Sequence, residues 1–155
     1  MTPDLRHELR QQKPFGSVQQ EAQLSVVRTG SLLTDAFEKM LRPYGITAAQ
    51  FNVLRILRGA EPDGLCRNEL RDRLLTRMPD VTRLLDRMEH AGFVERTREG
   101  EDRRRVRTRI TPKARRLVDR LDDTVAEEHQ RRFGHLGKER LRELIQTLSE
   151  VREKL

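Results

Sequence analysis

Between Arg67 and Pro112 the chain changes from a helical to a strand-like hydrophobic period, with Pro79, Gly92 and Thr111-Pro112 as punctuation. This limits the fold more than any other feature. An apolar helical stripe and an alternating strand each need one covered face, so a short segment holding both must fold around one shared core. Leu70 and Leu74, one turn apart, predict a short helix over about 67–75. Pro79 suits the first turn of a further helix, about 79–91, that buries Val81, Leu84, Leu85, Met88 and Ala91, with Gly92 as its C-terminal cap. Residues 93–97 and 105–110 then predict two short strands flanking a charged tip, Arg98–Arg104. In the second strand Arg105, Arg107 and Arg109 alternate with Val106, Thr108 and Ile110, giving one cationic and one packable face.

The flanking segments are helical. Leu33, Ala36, Phe37 and Met40 form a stripe in a helix from Ser17 to Arg42, stopped by Pro43-Tyr44-Gly45. Thr47 and Gln50 frame a capping box at the start of an apolar helix, about 47–58, and Glu61-Pro-Asp-Gly64 marks a turn. Cys66 stands three residues before Glu69, where a capping box usually has Ser or Thr. Thr111-Pro112 opens a helix to about Arg132 with Ala114, Leu117, Leu121 and Val125 on one face, and a last helix covers about 138–154. Residues 1–16 have little periodicity and read as an extension that needs a partner surface to become ordered.

Charge locates the working face. Residues 67–116 carry sixteen Arg and Lys against nine Asp and Glu, which accounts for the whole formal charge of +7. Confinement of the excess to a third of the chain points to an anionic partner rather than a general basic bias. With no Trp, one Tyr and five Phe, the chain is poorly supplied with stacking platforms for single strands, which counts against RNA-type recognition. Nothing provides a nucleophile with its base, a phosphate loop or a metal constellation; the chain does not read as an enzyme and calls for no cofactor and no metal. His7, His90, His129 and His135 do not cluster. The single Cys66 cannot form an internal disulfide, and MTPDLRHELRQQ has no apolar run; together these favour a reducing cytoplasm, and no stretch is long enough to span a membrane.

Helix, short helix, helix and hairpin is the order of a winged helix-turn-helix, whose second short helix enters a major groove while the hairpin reaches the adjacent backbone or minor groove. On the 79–91 helix, Asp80, Thr82, Arg83, Asp86 and Arg87 face outward. Arg83 suits guanine O6 and N7, and Thr82 a thymine methyl or a phosphate. A plain alternative is a solvated outer face on which Arg83 pairs with Asp86. At the hairpin tip Asp102 is placed to aim Arg104 at a narrow minor groove, while Glu99 and Glu101 read as local pairing and solubility.

RMPDVTRLLDRMEHAGFVERT followed by GEDRRRVRTRITPKA resembles the MarR family of bacterial transcriptional regulators over about residues 24–152, and the KPFG…EAQL…RTG opening resembles one subset of it. The resemblance implies a mainly α fold in which a winged helix-turn-helix DNA-binding domain, 47–111, is joined to a helical dimerisation region, 17–46 and 112–155. It implies a homodimer on a pseudo-palindromic operator, with Thr82 and Arg83 at the groove-reading positions and Asp102 and Arg104 in the wing. Arg77, Asp80, Arg87 and Arg105 complete the expected DNA-facing set. Leu136, Leu141, Leu144, Ile145 and Leu148 supply the expected dimerisation face. By the same resemblance a small phenolic or anionic effector releases a repressor from DNA. The alternatives are a winged-helix module that binds only proteins and a redox sensor built on Cys66, although the helix that carries the reactive thiol in the family's peroxide sensors, here Ser17–Arg42, contains no cysteine.

Overall fold

The computed structural model describes residues 4–99 and 106–155. The chain divides into two compact units, Met1–Asn52 and Val53–Leu155.

The first unit contains α1 (Leu5–Glu8), α2 (Val18–Leu41) and the beginning of α3 (Ala48–Arg58). Within the extension, residues 4–12 make local hydrogen bonds. Asp4 accepts a hydrogen bond from the His7 amide at 2.8 Å, and the Arg6 guanidinium donates to the carbonyls of Gln11 and Gln12 at 3.3 and 2.7 Å. Ser17 caps α2 through the Gln20 amide. The stripe of Leu33, Ala36, Phe37 and Met40 is only half-covered, and Leu41 is the α2 residue that is fully buried. The Thr47–Gln50 capping box forms in both directions, at 3.1 and 3.0 Å. Glu38 accepts from the Ala48 amide at 2.9 Å, and Phe37 meets Phe51 edge to face with ring centroids 5.5 Å apart.

The second unit starts within α3, where Val53, Leu54 and Leu57 are completely buried. It continues through β1 (Leu65–Cys66), α4 (Arg67–Arg73), α5 (Val81–His90), β2 (Val94–Arg98), β3 (Val106–Ile110), α6 (Pro112–Phe133) and α7 (Lys138–Arg152). The expected hairpin is therefore part of a three-stranded antiparallel sheet, order β1-β3-β2. β1 is too short for a period to show; its pairing, Leu65 with Thr108 and Cys66 with Arg107, comes from tertiary structure alone. Gly64 leads into it at φ +70°, a conformation that L side chains rarely adopt. Val94, Thr108 and Ile110 face inward with Leu65, over Leu70, Leu84, Leu85 and Met88. Thr111 caps α6 through the Ala114 amide, and its hydroxyl donates to the Gly92 carbonyl at 2.7 Å, tying the base of α6 to the turn after α5.

A polar network fastens the end of α3 to α6. Arg58 grips Asp122 with two nitrogens, each at 2.9 Å, and reaches Asp119 at 2.8 Å. These bonds, that to Asp122 foremost, raise the guanidinium pKa further and hold the Asp122 carboxyl below its ordinary value. Arg115 pairs with Glu61 and Asp119. On α7 no side chain is buried: Leu141 and Leu148 are half-covered, Leu144 and Ile145 exposed, and Leu136, just before it, half-covered. No helix among the described residues is long and apolar enough to cross a membrane.

Candidate nucleic-acid interface

The outer face of α5 is built from its first turn. Its helical geometry begins at Val81, two residues after the expected proline start, because Asp80 takes the N-cap position. One carboxylate oxygen of Asp80 accepts from the Arg83 amide at 2.9 Å, and the other meets Arg83 Nε at 3.1 Å. Val81, Leu84, Leu85 and Met88 are buried as the spacing requires, whereas Ala91, expected with them, is the exposed C-cap. Thr82, Arg83, Asp86 and Arg87 are exposed, Arg83 to 84%. The alternative Arg83–Asp86 pairing does not form, because Asp86 turns toward the sheet instead.

There it meets Arg96, which the sequence reading did not single out. Arg96 lies on the inward face of β2, opposite Thr108. Its guanidinium contacts Asp86 and Glu89 of α5 at 2.6 Å each, and its amide donates to Glu89 at 3.1 Å. An arginine at an inward position next to Val94 was the available signal, since a cation there needs acids from the covering helix. The clamp fixes α5 against the sheet. The Arg96 hydrogen bond holds the Glu89 carboxyl below its ordinary value of 4.5. Its stabilising effect is therefore complete above that value and is lost as pH falls through the lower folded-state value. In thermal melts across pH 2–6, Glu89→Gln should flatten the acid-side fall in stability; an unaltered profile would exclude the clamp.

Further contacts organise the edges of this face. Arg67, at the start of α4, donates to the Thr82 hydroxyl at 3.3 Å. Cys66 is half-buried at the α4 N-cap, where its amide donates to Glu69 at 2.8 Å; this bond above all lowers the Glu69 pKa. A cleft of about 440 Å³ opens between α4, α5 and the sheet, lined by Cys66, Arg67, Thr82, Leu85, Arg96 and Thr108. Arg77 in the α4–α5 connection and Arg87 on α5 are exposed and form no ion pair with a described residue.

The arginines of β3 have a different role from that expected of a cationic face. Thr108 and Ile110 pack inward as the alternation requires, but Arg107 and Arg109 are engaged within the chain. Arg107 donates to the Gly64 carbonyl at 3.1 Å and lies 3.4 Å from Glu69 and 3.5 Å from Glu99. Arg109 donates to the Pro62 carbonyl at 3.1 Å and to the Thr97 hydroxyl at 2.7 Å, and pairs with Glu99. Their negative counterpart is the root of the hairpin itself. Glu99, read from the sequence as local pairing, is held below the ordinary carboxyl range, chiefly by its bond to Arg109. Asp102, Arg104 and Arg105 lie outside the described residues. Among the described residues no three His, Cys, Asp or Glu side chains come together to hold a metal ion.

Known proteins share both the sequence and this architecture. The MarR family model matches residues 44–105. The HTH-type transcriptional regulator PecS of Dickeya dadantii is 30% identical over 129 residues, 81% of this chain and 75% of that protein. A MarR transcription factor of Planctomyces limnophilus superposes with a TM-score of 0.67 at 37% identity, over 88% of this chain and 98% of that one. The transcriptional repressor CouR, solved on a 23-mer DNA duplex, gives a TM-score of 0.76 at 26% identity, over 90% and 98%. A helix-turn-helix clamped to a three-stranded wing sheet, with identity at this level across most of two regulators, leaves one assignment: this chain belongs to the MarR family of transcriptional regulators, which are not enzymes.

Proposed function

We propose that the chain represses transcription in the cytoplasm by binding a pseudo-palindromic duplex operator as a homodimer, and that a small phenolic or anionic effector releases it. The observation that carries the DNA-binding part is the face of α5. Thr82, Arg83 and Arg87 stand exposed on a helix that Arg96 locks to the sheet, so a groove-reading set is presented on rigid support. The DNA complex of CouR supports the same use of the fold. Residues 47–111 form the DNA-binding region in this reading, and 17–46 with 112–155 the dimerisation region. A twofold dimer sets its two reading helices roughly 34–36 Å apart, one turn of duplex. The effector part rests on the family resemblance alone.

Titration of the full-length protein against a labelled duplex from the DNA flanking its own gene tests this reading. Affinity should fall log-linearly with salt, with a slope of about −0.9 per phosphate neutralised. Arg104→Ala should weaken binding to all sequences and reduce the slope, whereas Arg83→Ala should relax preference at one base position by about 1–3 kcal/mol. If both variants bind like the parent, the DNA-facing assignment is wrong; if the parent binds no duplex at low salt, a protein-binding module replaces it.

A further inference from the structure

Only the first half of α6 is packed into the winged core. Ala114, Leu117, Val118 and Leu121 are buried, and after Leu121 no residue of α6 or α7 is. The helix therefore leaves the core at Asp122, and the Arg58 guanidinium closes on it at that point. Nη1 and Nη2 of Arg58 donate to the two Asp122 oxygens at 2.9 Å each, and Nη1 also donates to Asp119 at 2.8 Å. One turn earlier in α6, Arg115 joins Asp119 to Glu61 in the turn after α3. Positions 115, 119 and 122 share one face of α6, so that face is braced against the end of α3, which Leu54 and Leu57 anchor in the core.

A single exposed ion pair adds little to stability, whereas a two-pronged arginine–carboxylate contact within a network fixes direction as well as distance. Direction matters here because the uncovered half of α6 is a lever. From Asp122 to Phe133 it runs about 17 Å, so a tilt of about 10° at Asp122 moves its far end by about 3 Å. That displacement is close to one base-pair step of duplex DNA, about 3.4 Å.

We propose that Arg58 is a positioning residue that sets the angle at which α6 leaves the winged core, and thereby the spacing between half-sites that the dimer accepts. The proposal rests on the homodimeric DNA-binding reading given above. It adds a second kind of specificity, in which the face of α5 selects bases and the Arg58 fork selects the distance between them.

The full-length parent should first select a duplex from a randomised DNA pool. That duplex, and versions with one base pair added or removed between its half-sites, are then titrated with the parent, Arg58→Lys, Asp122→Asn and the double variant. Lysine keeps the charge without the planar fork, and asparagine keeps the shape without the charge. The parent should favour one spacing over its neighbours by about ten-fold or more, because a misplaced second half-site loses the gain of linked binding. Each single variant should compress that preference to about three-fold or less, with base preference within a half-site unchanged. The double variant should be no flatter than either single one, since all three lack the same contact. A single variant with the parental spacing preference would overturn the proposal, as would a parent that binds every spacing equally. Loss of spacing and base preference together, with a lowered melting temperature, would also overturn it and leave Arg58 as a stabilising contact only. A parent that binds no duplex at low salt would instead defeat the DNA-binding reading, and the proposal with it.

Discussion

A Leu144→Asp chain should sediment as a monomer and lose operator affinity by about 10²- to 10⁴-fold, the gain that linking two half-site contacts provides. Within the single chain α7 buries nothing. Leu144 is 39% exposed and Ile145 64%, with Leu141 and Leu148 half-covered on the same helix. An uncovered aliphatic face of this kind is rare on a monomer, and a second copy is the occupant that the proposed dimer supplies. Aspartate at its middle would place an unpaired carboxylate in an apolar contact, a cost that removal of the leucine alone does not impose. Sedimentation velocity and a gel shift on one preparation separate the outcomes. A dimeric variant that still shifts the operator would remove α7 from the interface, and a monomer with undiminished affinity would show that each reading head acts alone.

Gly64→Ala should destabilise the fold by about 3 kcal/mol, roughly 10 °C in melting temperature. Two causes act together. The residue sits at φ +70°, where a side chain is strained, and a Cβ there would stand 2.4 Å from the Thr108 carbonyl oxygen and 2.7 Å from Arg109 Cγ. The nearer atom is backbone of the middle strand, which cannot retreat without breaking its pairing to β1 or β2. Gly30→Ala in α2 is the matched control: a Cβ there meets nothing within 4 Å and lies in a helix, so it should be neutral or slightly stabilising. Equal melting temperatures for the two variants would mean that the close approach at Gly64 is not a constraint.

Much of this architecture was legible in the sequence because its signals are local. The Thr47–Gln50 box, the Thr111-Pro112 start and the α5 stripe Val81, Leu84, Leu85 and Met88 each depend on spacing within a turn or two, and each formed. Long-range partnership was hidden. Two residues of β1 have no readable period, so the third strand was missed, and with it the engagement of Arg107 by the Gly64 carbonyl. The charge excess of residues 67–116 was correctly located but incorrectly apportioned. Arg96, Arg107 and Arg109 are spent on Asp86, Glu89, Glu69 and Glu99, which leaves Arg77, Arg83 and Arg87 as the outward cations among the described DNA-facing set. Charge counts could not make that division, since it depends on which acid each guanidinium reaches in space. Asp80 illustrates the same limit: its position marked it as outward, but only coordinates show that it caps α5 through the Arg83 amide.

The pairing of β1 with β3 also orders events during synthesis. All of α4, α5 and β2 lies between these strands in the chain, so Leu65 and Cys66 have no ladder partner until Arg107 and Thr108 have left the ribosome. Closing so long a loop is slow compared with forming its helices, and only closure brings the Pro62 and Gly64 carbonyls onto Arg109 and Arg107. A nascent chain halted before β3 would carry the α5 sequence without its wing sheet, so partial translation products should be ineffective competitors for the genes that the finished protein controls.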